Sequence, residues 1–215
     1  MADKKRPRRT RERILETALA LFNLHGEPSV TTAHIADEMN ISPGNLYYHF
    51  RNKDEIIGEL YDAYEASVAP LLAVPVDPPP GVEDLWFLLH VLFERMADYR
   101  FLYRDLDEIT SRNRKLASRF ADLLGRLHAT VLGLCRSLMQ AGRMRASERE
   151  VGALATNASL VCTYWMSWQR VGAAQGDKLD PDQAAYNVLA LFAPFLAGED
   201  RALLERIGES YLAQP

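Results

Sequence analysis

The sequence predicts an all-α protein with a small N-terminal helix-turn-helix domain followed by a larger helical domain. Apolar residues recur at helical spacing along nearly the whole chain, without the strict alternation that marks a strand. Two short helical segments enclose a tight turn near residue 40. A proline-rich stretch at residues 75–81 interrupts the pattern and marks the clearest boundary.

Charge is distributed unevenly along a chain of otherwise ordinary composition. Hydrophobic residues make up 48% and charged residues 25% of the 215, which is typical of a soluble globular protein. Residues 1–53 contain nine Lys or Arg and six Asp or Glu, whereas the remainder contains 16 and 23. A basic N-terminal region on an acidic body indicates a protein that meets a polyanion at one end.

Targeting, redox and membrane signals are weak. The first eleven residues are basic without an apolar stretch, so we expect a cytoplasmic protein without a secretory signal. Cys135 and Cys162 have no metal-site spacing and are expected to be free, buried thiols. Residues 151–169 carry no charge and are long enough to span a membrane, but their polar side chains favour packing between helices of a soluble protein. No metal or cofactor is expected.

The first helix is expected over about residues 10–24. Ile14, Ala18 and Phe22 recur on one face, and Gly26 follows as the residue that ends the helix. Residues 1–9 precede this helix as a flexible basic arm. Their arginines suit contacts with phosphates or a minor groove, and the alternative is a solvated tail.

A second helix is expected after Thr31, whose hydroxyl is placed to accept a hydrogen bond from a first-turn N–H. Ile35, Ala36 and Met39 give this helix one apolar face of barely two turns. The chain must then reverse at Asn40, because asparagine tolerates the left-handed backbone conformation better than most residues other than glycine.

A third helix is expected to be capped by Ser42, with Pro43 at its first position, where a missing N–H costs nothing. Leu46 and Phe50 lie four residues apart and face inward, which leaves polar and aromatic side chains on the outside. Two short helices joined by a turn of this length predict a helix-turn-helix, whose second helix enters the major groove of DNA.

The spacing of residues across this region is itself informative. It runs through Leu21, Phe22, Gly26, Thr32, Ile35, Ala36, Ser42, Gly44, Leu46, Tyr47, His49, Phe50 and Lys53. The pattern resembles the DNA-binding domain of TetR-family repressors over roughly residues 10–57, about a quarter of the chain. It departs at Asn40, where the family usually has glycine and asparagine serves the same backbone need. For the rest of the chain the resemblance implies helices, a ligand pocket and a dimer, in a bacterial cytoplasmic protein that joins the nucleoid when bound.

The outward residues of the third helix suit DNA. Gly44 lets the backbone approach closely, and the Asn45 amide can pair with the edge of an adenine. Hydroxyl and imidazole groups can donate to phosphates, which fixes register without reading sequence. With the resemblance, the residues expected to contact DNA are Arg8, Arg9, Arg11, Thr31, Thr32, Ser42, Pro43, Gly44, Asn45, Tyr47, Tyr48, His49 and Lys53. The alternatives are a half-buried core position for Tyr47 and a plain surface lysine at Lys53.

Further helices are expected along the remainder of the chain. Asn52 and Glu55 form a capping box that opens a fourth helix, which links this region to the body. Ser147 and Asp180 are placed to cap two later helices. The expected helices of the body cover about residues 82–98, 101–109, 112–141, 148–171, 180–195 and 201–212.

The body contains more apolar surface than a DNA-binding unit needs, and aromatic side chains on three of its helices can line a cavity. The residues expected to bind a small ligand are Trp86, His90, Phe93, Phe120, Leu124, His128, Tyr164, Trp165 and Trp168. Each of them also fits an ordinary core position. The helix at 151–169 and the helix after Asp180 are expected to form the dimer, because their small residues allow close approach. These residues are Gly152, Ala153, Ala155, Ala158, Ala184 and Ala185.

Together with the resemblance, these observations predict a homodimeric repressor that binds an inverted repeat in double-stranded DNA and is released by a small apolar or amphipathic effector. The alternative is a DNA-binding factor of the same fold that does not respond to small ligands. An enzyme is not expected, because the sequence has no glycine-rich phosphate loop, no HExxH and no Gly-x-Ser-x-Gly elbow. The expected division is an arm at 1–9, a DNA-binding domain at 10–57, and a ligand-binding and dimerisation domain at 58–215.

Overall fold

The computed structural model describes residues 5–73, 81–172 and 180–212, and the side chains of residues 9–208 within those ranges. Regular structure in these ranges is helical, without strands, and an isolated bridge joins Met144 to Leu196. The expected all-α class is confirmed. The boundary expected at residues 75–81 lies outside the described residues, apart from Gly81.

The helices follow the order that the sequence predicted. They are α1 (Lys5–His25), α2 (Thr32–Glu38), α3 (Pro43–His49), α4 (Lys53–Val68), α5 (Val82–Asp98), α6 (Phe101–Arg104), α7 (Leu106–Arg112), α8 (Arg114–Gln140), α9 (Glu148–Gly172), α10 (Pro181–Phe192) and α11 (Gly198–Leu212). A short 3-10 helix at Ala193–Phe195 follows α10. Most of the expected helix ends are confirmed to within two residues.

Two helices differ from expectation. Helix α1 begins at Lys5, so part of the stretch expected to be an arm is helical, and Pro7 lies in the first turn, where proline is tolerated. The single helix expected over residues 101–109 is two helices, because Asp105 leaves helical geometry at φ −108° and ψ 24°. Its carboxylate accepts a hydrogen bond from the Glu27 N–H at 2.8 Å, which holds the break in place.

The chain forms two compact units. The first combines the residues up to Ala66 with Tyr99–Arg119, and the second combines Ser67–Asp98 with the residues from Phe120 onward. The first unit therefore contains α6, α7 and the start of α8 in addition to the helix-turn-helix. The sequence had assigned these three elements to the body.

Packing in the first unit joins α1 to the two short helices. Phe22, Ile35 and Phe50 are fully buried, as the sequence predicted. The rings of Phe22 and Phe101 lie 5.2 Å apart, so α6 also covers the end of α1. Burial of each such side chain contributes about 1.5–3 kcal/mol, which stabilises helices of seven residues that are too short to form alone.

The turn between α2 and α3 depends on one left-handed residue. Asn40 has a φ of 53°. Its N–H donates to the Asp37 carbonyl, and the Ile41 N–H donates to the Ala36 carbonyl, both at 3.0 Å. This pair of bonds is the Schellman ending of a helix. The expected reversal at Asn40 is confirmed.

In the second unit, α10 packs against both α5 and α9. Ala155 and Ala158 on α9 are buried within the subunit, and so are Ala184 and Ala185 on α10. The expectation that these four residues form a dimer face is therefore wrong. Their small size serves the contact of helices inside one chain.

The same unit contains both cysteines, which are free and buried as expected. Burial raises the pKa of the Cys135 thiol to about 11 and that of Cys162 to about 12.

Across the described ranges, the helices all lack the combination of length and hydropathy needed to cross a bilayer, and this includes α9.

Substitution of Asn40 tests the turn. Asn40→Gly should leave the free energy of unfolding unchanged or slightly higher, since glycine adopts positive φ without a steric cost. Asn40→Val should lower it by about 1–2 kcal/mol, because a β-branched side chain is strained there. Urea denaturation followed by circular dichroism measures both variants. Equal stability of the two would contradict the left-handed assignment.

Candidate nucleic-acid interface

Helix α3 directs one side to the interior and the other to solvent. Leu46 is fully buried, and the Asn45 N–H donates to the Ser42 hydroxyl at 3.2 Å, which caps the helix. Most of the residues expected to contact DNA here are exposed, and His49 is half-buried. The exposed ones are Ser42, Pro43, Gly44, Asn45, Tyr47 and Tyr48. The structure therefore brings them together on the outer side of α3.

Helix α2 begins at an exposed cap. The Thr31 hydroxyl accepts from the His34 N–H at 3.2 Å, as the sequence predicted. In return, Nδ1 of His34 accepts from the Thr31 N–H at 3.4 Å. Histidine thus takes the place that Glu or Gln has in the usual capping box. Thr32 follows, half-buried, in the first turn.

Tyr47 connects the two short helices. Its hydroxyl lies 3.0 Å from the Thr32 hydroxyl, and the two share a hydrogen bond. The Tyr47 side chain is nevertheless 51% exposed. A pair of hydroxyls that share one bond keeps a donor and acceptor sites for a third group. Tyr47 is therefore not a core residue, although its hydroxyl already has one partner within the protein.

Tyr48 is the most prominent side chain of α3. It is 78% exposed, and its ring meets that of His49 edge-on at 5.1 Å. This contact packs the Tyr48 ring against His49, and most of the Tyr48 side chain stays exposed. The arrangement suits a donor for a group outside the protein.

Lys53 is held within the first unit. Its ammonium donates to the carbonyls of Glu27 and Val30, both at 3.0 Å, and pairs with the Glu27 carboxylate at 2.7 Å. An ammonium has three N–H donors, so all three are engaged. This geometry differs from the expected phosphate contact and also from a plain surface lysine. Lys53 positions the loop that leads into α2.

The three arginines expected to contact DNA belong to α1. Arg11 forms a two-pronged ion pair with Glu59 of α4, and its guanidinium lies 4.5 Å from the centroid of the Phe50 ring. The hydrogen bond with Glu59 is the largest cause of the raised pKa of Arg11. Arg9 is exposed, and the side chain of Arg8 lies outside the described residues. Arg11 therefore fastens α1 to α4 instead of reaching outward.

Glu27 is a fully buried charge that sequence reasoning missed. Its Oε1 lies 2.7 Å from Nζ of Lys53 and 2.8 Å from Nη2 of Arg112. A buried carboxylate is costly unless it is paired in this way. The partners are 26 and 85 residues away in sequence. No local pattern identifies such a residue.

The end of α1 is capped from α6. Arg104 donates to the carbonyls of Phe22 and Asn23, and Arg100 donates to that of Asn23. The Asn23 side-chain oxygen accepts from the Phe101 N–H at 3.1 Å. Helix ends leave carbonyl groups without intrahelical partners. The arginines satisfy these groups and fix the start of the loop that contains Glu27.

Two family models match the chain on either side of residue 60. Residues 14–60 match the bacterial regulatory proteins of the tetR family, and residues 63–204 match a bacterial transcriptional repressor domain. The second match alone covers more than half of the chain. The chain belongs to the TetR family. It is therefore a transcriptional regulator and not an enzyme.

Individual TetR-family proteins support this assignment. A regulator from Marinobacter aquaeolei VT8 is 36% identical, with a TM-score of 0.85 over 94% of this chain and 98% of that one. AcrR of Shigella flexneri is 28% identical over 102 residues, which cover 45% of this chain and 46% of AcrR. The match thus spans less than half the length of this curated relative. A regulator from Saccharomonospora viridis in complex with choline is 21% identical and has a TM-score of 0.65, over 88% of this chain and 99% of that one, so it shares the fold.

The expected ligand-binding residues of this TetR-family chain lie in the second unit, but their exposure differs. The buried residues are Phe93, Phe120 and Trp165, the half-buried ones Trp86, His90, Leu124 and His128, and the exposed ones Tyr164 and Trp168. Exposure of the last two reaches 48% and 79%. The nine residues therefore do not line one enclosed space in a single subunit.

Four of the nine meet in pairs. The rings of Phe93 and Trp165 lie 5.2 Å apart in a T-shaped contact between α5 and α9. Trp86 stacks on His90 along α5, with ring centroids 5.4 Å apart. These contacts form an aromatic row on α5 that reaches α9 at its Phe93 end.

Replacement of Lys53 tests whether its ammonium stabilises this TetR-family protein or contacts DNA. Lys53→Met should lower the free energy of unfolding by about 3 kcal/mol, because it leaves the buried Glu27 carboxylate with Arg112 alone. Lys115→Met removes an exposed lysine of the same unit and should change it by less than about 0.5 kcal/mol. Urea denaturation measures both. A Lys53→Met protein of unchanged stability but weakened DNA binding would show that the ammonium contacts phosphate.

Proposed function

We propose that this protein is a homodimeric repressor in which α3 of each subunit reads one half of an inverted repeat in double-stranded DNA. The proposal is carried by the outer side of α3. There Gly44, Asn45 and Tyr48 are exposed, whereas Leu46 behind them is fully buried. A short helix fixed from behind and polar in front fits the reading position of a helix-turn-helix in the major groove.

Some of these side chains suit contacts with base edges, and others suit contacts with the phosphates of the DNA. The Asn45 amide suits a two-bond contact with adenine, which carries sequence information. A Cβ added at Gly44 would lie 3.9 Å from its nearest neighbour, the Ser42 hydroxyl, so the protein interior does not require glycine there. We infer that glycine serves close approach to DNA. Tyr48, Tyr47 and the exposed hydroxyl groups nearby would donate to phosphates and fix register.

The dimer is proposed to form through the exposed side of α9. Leu160, Tyr164, Trp168 and Val171 recur three or four residues apart and are all exposed on the single subunit. An apolar stripe of this size marks a contact surface. Residues 151–169 carry no charge, and Arg170 is exposed beside the Val171 end of the stripe. Two copies of the stripe can therefore pack across a two-fold axis with a charge only near that end. Two half-sites in turn require two copies of α3.

The effector is proposed to bind in the second unit, near the aromatic row on α5. The S. viridis regulator was solved with choline, which supports a small-molecule site in this fold. Ligand would act by binding one conformation of the dimer more tightly than another. In the favoured conformation, the two α3 helices would no longer match successive turns of one groove.

The DNA contact is tested by removal of a single hydroxyl. Tyr48→Phe should weaken binding to the operator about tenfold and by the same factor on mismatched DNA, because a phosphate bond is lost. Ser111→Ala, which removes an exposed hydroxyl from α7, is the control and should bind like the parent. Fluorescence anisotropy at fixed salt, with inverted repeats from DNA flanking the protein's own gene, gives both affinities. Unchanged affinity of the Tyr48→Phe protein would remove α3 from the proposed interface.

The dimer contact is tested by placing charge on the stripe. Trp168→Glu should weaken self-association about 100-fold or more, because each interface then buries two unpaired carboxylates. Phe87→Glu changes an exposed aromatic residue of α5 and should leave the dimer intact. Analytical ultracentrifugation across a concentration series measures both. A Trp168→Glu protein that stays dimeric while Phe87→Glu dissociates would move the dimer surface to α5.

A further inference from the structure

The second unit contains a buried hydrogen-bond donor that the fold does not use. Trp165 on α9 is 5% exposed, and its indole Nε1 is fully shielded from solvent. Among the side chains and backbone groups that the structure describes, none accepts a hydrogen bond from this N–H. Buried polar groups are nearly always paired in native proteins. An orphan donor of this kind marks either strain or a place where a bound molecule supplies the acceptor.

The surroundings of this donor are aromatic. Phe93 of α5 is fully buried and meets the Trp165 ring edge-on at 5.2 Å. Trp86, His90 and Phe93 are spaced four and three residues apart, so they share one side of α5. Trp86 and His90 stack at 26° between ring planes. A planar aromatic molecule finds in this row both flat surfaces and ring edges to pack against.

The carboxylates beside the row disfavour anionic ligands. Nδ1 of His90 lies 2.5 Å from Oδ1 of Asp182, the second residue of α10. Nε2 of His90 lies 3.5 Å from the Glu94 carboxylate. Two carboxylates therefore flank one imidazole. An anionic ligand would meet repulsion there, whereas a neutral one would not.

We propose that the second unit binds a neutral aromatic compound with one hydrogen-bond acceptor, such as an aryl ketone, and that the Trp165 N–H donates to that acceptor. The inference rests on the proposed effector role of this unit and names the ligand class and the orienting group. Phe93 would hold the ring of the ligand beside the indole. The paired His90 and Asp182 would leave the opposite end of the row unsuited to acids.

The test compares three probes that differ in one group. They are 2-acetylnaphthalene, which has a carbonyl acceptor, 2-isopropenylnaphthalene, in which a methylene replaces the oxygen, and 2-naphthoate, which is anionic. The full chain is labelled with ¹⁵N, because its three tryptophans give three indole N–H signals. The Trp165 signal is assigned from the Trp165→Phe protein. Titrations of each probe give dissociation constants and the shift of each indole proton.

The ketone should bind about tenfold more tightly than the alkene, the effect of one hydrogen bond, and should move the Trp165 indole proton downfield. In Trp165→Phe, which keeps an aromatic ring beside Phe93, the preference for the ketone should fall below about twofold. Phe87→Leu, at an exposed position of α5, should keep the full preference. The naphthoate should bind more weakly than the ketone.

Three outcomes would overturn the inference. They are equal binding of ketone and alkene by the parent protein, a preference that survives in Trp165→Phe, and failure of all three probes to bind. Tighter binding of the naphthoate would overturn the neutral class. DNA binding by the unliganded protein is measured separately, so loss of the proposed operator contact and loss of this ligand site give different results. A protein that binds the ketone but no inverted repeat would refute the proposed repressor and leave the site standing.

Discussion

The first unit is built around one buried carboxylate. Glu27 is fully enclosed, and a single oxygen of its side chain meets Lys53 at the start of α4 and Arg112 at the end of α7. Neither cation is local in sequence, so the pair of contacts ties two distant segments to one loop. That loop leads directly to Thr31 and α2. The orientation of the helix-turn-helix therefore depends on an ion cluster as well as on its apolar core.

Local features of the sequence predicted much of the fold. Helical periodicity gave most helix positions, and the caps at Thr31, Ser42 and Asp180 are hydrogen-bonded as expected because a cap involves residues only three apart. The left-handed turn at Asn40 was predictable for the same reason. The break at Asp105 was not, because it depends on a hydrogen bond to a loop 78 residues earlier.

The candidate DNA-binding residues also divide into those whose placement follows from the local sequence and those whose placement depends on distant contacts. The exposed positions of α3 follow from its amphipathic pattern, so Asn45 and Tyr48 lie where the sequence placed them. Arg11 and Lys53 were expected to be available for phosphates, but both are engaged by glutamates from other elements. A long basic side chain can reach DNA or a nearby carboxylate, and sequence alone does not show which carboxylate lies nearby. On α9, likewise, the uncharged stretch at residues 151–169 gives no indication of which side is covered by its own chain.

The hydroxyl pair of Tyr47 and Thr32 has a consequence for how the proposed DNA interface would change during evolution. That bond joins α2 to α3 at 3.0 Å, so it favours a fixed angle between the two helices. New operator preferences would then arise by substitution of the exposed side chains of α3, while the arrangement of α2 and α3 stays the same. Regulators descended from this one should therefore differ in the base pairs they recognise before they differ in the angle at which α3 meets the DNA.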